Sequence, residues 1–360
     1  MRAAVLEEFG RPLVVREVPE PVPGGGEVLV DVLAACVLPY AVEVFGGGRR
    51  YPLEPPVVSG CGAVGRVVTA GADATRLRPG DLVWCDPTVR SRDDARTPDI
   101  TLQGWSSRGE GGAALARHWH DGPLAEQVVV PTENVEPFDP GGLDLAHWAG
   151  AVVPLVPYGG LRAVDLRPGE TVVVSGATGN FGSAAVAVAV ALGAARVVAP
   201  GRNRAALDLL QQRFGARVAT VGLTGDADRD GRAIREAAGG PVDVVVDLLP
   251  PQVDAAVVRT AAMTVREFGR VVLMGGVGML GGADLALPYP WLMRNSVTVR
   301  GQWMGPRQGT GELLRLARAG LLDLGADVVT TFGLDEANEA VAHAAAHGGP
   351  FERTVVLPGS

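Results

Sequence analysis

Hydrophobic and polar positions follow two rhythms along the chain, and the change comes near residue 170. Before it, short valine-rich runs recur at Ala3 to Leu6, Glu27 to Leu33, Gly62 to Thr69, Asp81 to Cys85 and Glu126 to Val130. Pro/Gly turns such as PVPGGG and RPGD separate them, so each run predicts a short β-strand of an all-β domain. Asp86 to Asp121 interrupts this pattern with arginines, glycines and few aliphatic residues, and reads as a polar lobe leaving the β-structure. From Gly169 onward strands alternate with helical stretches. Thr171 to Val174, Arg196 to Pro200, Val218 to Val221, Val242 to Leu248, Arg270 to Met274 and Ser296 to Gly301 predict the strands of a doubly wound parallel sheet. The tail returns to the first style, with a helix over Leu334 to His347 and a strand RTVVL. The fold class read from this pattern is α/β, a β-domain followed by a parallel sheet wrapped in helices.

One junction carries chemistry. In VVVSGATGNFGSAAVAVAVALG, from Val172 to Gly193, a buried strand meets an alanine-rich helix across Gly176, Gly179 and Gly182. Glycines there allow a sharp turn, close approach of a ligand to backbone amides, and tight packing of helix on strand. The helix N-terminus adds a partial positive charge suited to a pyrophosphate. Thr178, Asn180 and Phe181 lie in the same turn and join the glycines as candidate cofactor contacts. The spacing is GxxGxxG, not GxGxxG, so the βαβ context carries more of the argument than the motif. At the end of the second strand an NAD-binding chain places Asp or Glu for the ribose 2′-OH, whereas this one reads GRNR, with Gly201 in the acidic position. Arg202, Asn203 and Arg204 can meet a 2′-phosphate with charged hydrogen bonds, which favours NADP(H).

Composition narrows the class. The 360 residues are 47% hydrophobic, enough for two cored domains, and carry a net charge of -8 with no basic run. That argues against nucleic acid or an anionic membrane as partner. No apolar stretch has the length and continuity of a membrane span, and the opening MRAAVLEEFG lacks a signal-peptide core, so a cytoplasmic protein is expected. Cys36, Cys61 and Cys85 are too few and too scattered for a disulfide framework or zinc ribbon. The chain has no lysine, which removes Schiff-base chemistry and leaves arginine as the fixed side-chain cation.

Several motifs in order, the opening MRAAVLEEFG, PGGGEVLVDVLAA, GRVVTAGADATRLRPGDLV, GATGNFG and the late LMGGVG, resemble the medium-chain dehydrogenase/reductase superfamily across essentially the whole chain. The resemblance implies a GroES-like β-barrel at residues 1–155, completed by 305–360, and a Rossmann NADP-binding domain at 156–304. It also implies a substrate cleft between domains, cofactor contacts from Gly275, Gly276 and Val277, and a homodimer or homotetramer. Zinc-dependent members carry ligands at positions that fall here on Leu38, Cys61 and Val152. Leucine and valine cannot ligate a metal, and the lobe that holds structural zinc in relatives has no cysteine. The resemblance therefore points to the zinc-independent branch, similar to quinone oxidoreductases and enone reductases. The pair His118 and His120 has metal-like spacing without a third ligand.

Without zinc, the oxyanion formed by hydride transfer needs another donor. Tyr40 falls where zinc members place a hydroxyl relay residue, and Tyr51 where zinc-free quinone oxidoreductases carry a tyrosine before a proline. Either phenol can donate. Tyr158, Trp291 and Trp303 are the candidate contacts to a small, largely apolar substrate, with core packing or a subunit interface as their alternative use. The reading is an NADPH-dependent reductase of an activated alkene or carbonyl. A zinc-free alcohol dehydrogenase or ketone reductase is the alternative within enzymes, and an NADPH-binding protein without turnover the alternative outside them.

Overall fold

A computed structural model describes residues 1–359, in two compact units. The first holds residues 1–152, 324–348 and 352–359; the second holds 153–323 and 349–351. Residues 305–323 thus lie with the second unit, although a boundary at 305 is expected from sequence. The reason is the helix Gly309–Arg318, which buries Leu313 and Leu314 and receives a hydrogen bond from Tyr158 of the same unit on Glu312.

The first unit is built on a long strand, Glu27–Val37, whose burial alternates weakly because both faces are covered. It pairs antiparallel with Ala63–Ala70 on one side and with the C-terminal strand Glu352–Leu357 on the other. The tail strand pairs in turn with Val328–Gly333, parallel. A buried ion pair, Arg353 to Asp327 at 2.8 Å, fastens these last two strands together. Gly65 has no room for a side chain, since an added Cβ would lie 2.3 Å from Val30. The expected polar lobe is a three-stranded sheet, Thr88–Arg90, Ile100–Leu102 and Ser106–Ser107, with the helix Gly109–Ala116.

The second unit is a six-stranded parallel sheet. In chain order its strands are β1 (Thr171–Ser175), β2 (Arg196–Gly201), β3 (Val218–Gly222), β4 (Val242–Asp247), β5 (Val265–Leu273) and β6 (Thr298–Gly301). The spatial order is β3-β2-β1-β4-β5-β6. That is the dinucleotide-binding arrangement, and the order reverses between β1 and β4. Valines 172 to 174, 197, 198 and 244 to 246 are fully or almost fully buried, as strands covered on both faces require. The core continues into Ile234, Val265 and Val271, and Trp291 packs on it. Among the described residues no helix is long and apolar enough to cross a membrane.

Candidate active site and dinucleotide crevice

At the switch point of the sheet, the turn after β1 leads into the helix Asn180–Ala191. Gly176 has φ +88, in the left-handed region open to glycine. Gly182 is required for a different reason: a Cβ there would sit 1.9 Å from the carbonyl oxygen of Gly176. Helix and turn therefore close on each other only because Gly182 lacks a side chain. Gly179 is the exposed N-cap, with extended backbone. Thr178 and Phe181 are half-buried beside it. Asn180 is buried, and its amide nitrogen donates to the carbonyl of Gly349 at 2.9 Å, tying the returning tail segment to this helix. That bond gives Asn180 a structural duty that its place in the glycine motif does not reveal.

Across the switch point Ser175 of β1 donates to Asp247 of β4 at 2.8 Å. Asp247 is buried, and burial raises its carboxyl to about 6 against the opposing pull of Ser175 and the Leu249 amide. Gly275 follows β5 at the same level, and a Cβ on it would lie 2.6 Å from the Asp247 carboxylate. The Gly276 amide donates to Leu249 at 2.8 Å, and Val277 is half-buried. The GlyGlyVal loop is thus drawn over the end of β4, a close backbone approach that glycine permits.

Gly201 is the last residue of β2. A Cβ there would fall 2.3 Å from Cγ2 of Thr178, so the missing carboxylate has a steric companion in the glycine turn. Arg202, Asn203 and Arg204 follow and are exposed. Neither guanidinium is paired with a carboxylate among the described residues. A Cβ added at Gly222 would lie 3.5 Å from Arg204, which places that guanidinium at the end of β3. Asn203 caps the next helix, its side-chain oxygen accepting from the Ala206 amide at 3.2 Å. Asn203→Ala is expected to lower unfolding stability by about 1 kcal/mol, read by denaturant titration; no loss would mean the cap is idle.

The first unit holds the second cluster. Tyr40 precedes the short helix Ala41–Phe45. Its ring meets the edge of Tyr51 at 6.4 Å between centroids and 79°, and the edge of Trp105 at 5.7 Å. The Arg49 guanidinium lies over the Tyr40 ring at 4.2 Å and bonds Glu43 at 2.8 Å. The structure therefore brings the two expected tyrosines together and adds Arg49, Glu43 and Trp105, which the sequence did not flag. Burial holds both phenols above their ordinary range. For Tyr40 the neighbouring Tyr51 and Cys61 push the same way, with Trp105 and Arg49 opposing. For Tyr51 the opposition comes from Arg49 and from Tyr40 itself.

The expected metal positions give no donor set. Leu38, Cys61 and Val152 are all buried, and a Cβ at Gly62 would touch Val152 at 3.3 Å, so valine fills space next to Cys61. Burial pushes the Cys61 thiol far up and no cation faces it, which leaves neither a metal ligand nor a nucleophile. His118 binds Glu27 at 2.9 Å, whereas His120 binds Asp121 and the Glu54 carbonyl. They do not converge. Among the described residues no group of three His, Cys, Asp or Glu side chains is arranged to hold a metal.

The three candidate substrate contacts separate. The Tyr158 hydroxyl is committed to Glu312, which also faces Arg162. Trp291 lies half-buried on the core of the parallel sheet, the packing use. Trp303 is half-buried just after β6, its carbonyl near the Gln302 amide.

Comparison with known proteins agrees with both units. Residues 24–140 match the alcohol dehydrogenase GroES-like domain, and residues 181–319 the zinc-binding dehydrogenase family. An alcohol dehydrogenase of Rhizobium meliloti is 31% identical over 328 residues, 89% of each chain. An NAD-dependent alcohol dehydrogenase of Sulfurisphaera tokodaii is 27% identical, covering 95% of each chain. A Sinorhizobium meliloti structure solved bound to NADP shares the fold with a TM-score of 0.79 at 23% identity, covering 99% of each chain. GroES-like barrel, dinucleotide-ordered sheet and these relatives lead to one conclusion: the chain belongs to the medium-chain dehydrogenase/reductase superfamily.

Proposed function

We propose that this oxidoreductase works without zinc, takes NADPH, and delivers hydride to an activated alkene or carbonyl of a small, largely apolar molecule. The observation that carries the reading is the Tyr40–Tyr51 pair, set in the unit whose expected metal positions are Leu38, Cys61 and Val152. Two phenols kept protonated by burial supply what the missing metal would, a donor to the developing oxyanion. Gly176, Gly179, Gly182, Thr178 and the Gly275 loop would hold the cofactor's pyrophosphate region, and Arg202 and Arg204 its 2′-phosphate. Bound there, NADP(H) supplies a hydride with its electron pair. The protein's own part is to orient it, exclude water and hold a proton on Tyr51 or Tyr40.

The relatives' names favour alcohol dehydrogenase activity, and joined to the residues at positions 38, 61 and 152 they give a second reading, a zinc-free alcohol dehydrogenase or ketone reductase. The same residues serve it, with an alcohol or ketone in place of the alkene. A homodimer fits either reading, since β6 is an exposed edge strand with Val299 on it.

Metal analysis tests the zinc claim. The purified protein is expected to contain no stoichiometric zinc and to keep full activity in a chelator. About one zinc per chain, with activity lost on its removal, would overturn it.

A further inference from the structure

We propose that Arg49 is the positioning residue of the tyrosine pair: its guanidinium clamps the face of Tyr40, whose ring meets that of Tyr51, so that Tyr51 is the phenol that gives up its proton. The inference rests on the reading of this pair as the proton donor and decides between its members. Arg49 sits in a turn sequence, GlyGlyGlyArgArgTyrPro, and is not an evident active-site residue from sequence. In the fold its side chain is only 10% exposed, fixed through Nε to Glu43 on the helix that follows Tyr40. With one edge tied to Glu43 and its plane over the Tyr40 ring, the guanidinium has little freedom left. Arg50, between Arg49 and Tyr51, has φ +52, a conformation rarely adopted by a residue with a side chain. Such strain is retained where the surroundings fix a geometry.

Among the groups facing Tyr51 are Arg49, Tyr40 and Cys61, and among those facing Tyr40 are Tyr51, Cys61, Trp105 and Arg49; the Glu43 carboxylate bonds Arg49. The thiol stays protonated, so Arg49 is the cation in both sets. It lies across the ring of Tyr40, where it holds the aromatic face, and it also opposes the effect of burial on the Tyr51 phenol. Tyr40, in edge contact with Tyr51, opposes the effect of burial on that phenol as well. In the step, the Tyr51 O–H bond breaks and its proton passes to the atom that hydride transfer has made negative. The phenolate left behind faces Arg49 and takes a new proton from water.

Ultraviolet titration of tyrosinate in the full-length protein tests this without reliance on activity, with Tyr51→Phe identifying the Tyr51 step among the four tyrosines. Arg49→Met is expected to raise the pH of that step by about one unit or more, and Arg49→Lys to restore part of it. Turnover of Arg49→Met should fall by about tenfold or more, with the acidic limb and NADPH affinity unchanged. If Arg49→Met does not fold, Arg49→Gln, which keeps a polar side chain there and removes the charge, serves in its place and should move the step the same way. An unmoved Tyr51 step in these variants overturns the inference. A moved step with full turnover overturns instead the reading of Tyr51 as donor.

Discussion

Phenylalanine at position 51 is expected to lower turnover by about two orders of magnitude while leaving NADPH affinity as it is. The substitution removes one hydroxyl and little volume, so the edge contact with Tyr40 survives and the fold is spared. Tyr40→Phe is expected to cost less. Its ring is held by Arg49 and meets that of Tyr51, so with Tyr51 as the donor its loss reaches the chemistry only through the neighbour. The order of the two effects is itself informative, because a pair acting as interchangeable donors would give equal losses. Steady-state kinetics of both single variants and of the double variant check this. Near-parental turnover in all three would assign the proton to water or to a group on the substrate.

The second large effect concerns the cofactor. Two free guanidiniums at the end of β2, and no carboxylate there, favour NADPH over NADH. A charged hydrogen bond contributes about 1.5 to 3 kcal/mol, so one or two give a preference of about tenfold to a thousandfold in kcat/KM. Arg202→Ala with Arg204→Ala should remove most of it through KM. The phosphate is remote from the hydride-donating ring, so ground and transition state lose the same binding. Reversal toward NADH needs a carboxylate at 201, and the structure adds a condition. Since a Cβ there would meet Thr178 at 2.3 Å, Gly201→Asp with Arg202→Ala should bind either nucleotide poorly until Thr178→Ala makes room. Equal efficiency with both cofactors in the parent protein would mean that the arginines serve only the solvent face of the helix.

Much of the fold was legible because its signals are local. The valine runs of β1, β2 and β4 and the Pro/Gly turns of the barrel depend on few distant residues, and the tail strand at 353–357 is read one residue short of its start. Val328–Gly333 was not foreseen. Its ValValThrThrPhe is a fair strand signal, but it pairs parallel to the tail strand and only the tertiary fold gives it a partner. The site shows the same division. Gly176 and Gly182 announce a tight turn in any chain. That Asn180 holds Gly349, or that Tyr158 is spoken for by Glu312, is set by segments about 150 residues or more away. The Tyr40–Tyr51 encounter requires the chain to turn back through Gly46 and Gly47, the latter at φ +75, and Trp105 arrives from the separate lobe.

One measurement bears most directly on the central claim: NADPH oxidation by the purified, chelator-treated protein with a panel of enones, quinones and ketones, run in parallel with NADH. The expected result is turnover of at least one apolar member, faster with NADPH by about tenfold or more, and unchanged by the chelator. No turnover of any member with either nucleotide, or activity that appears only when zinc is added, would contradict it.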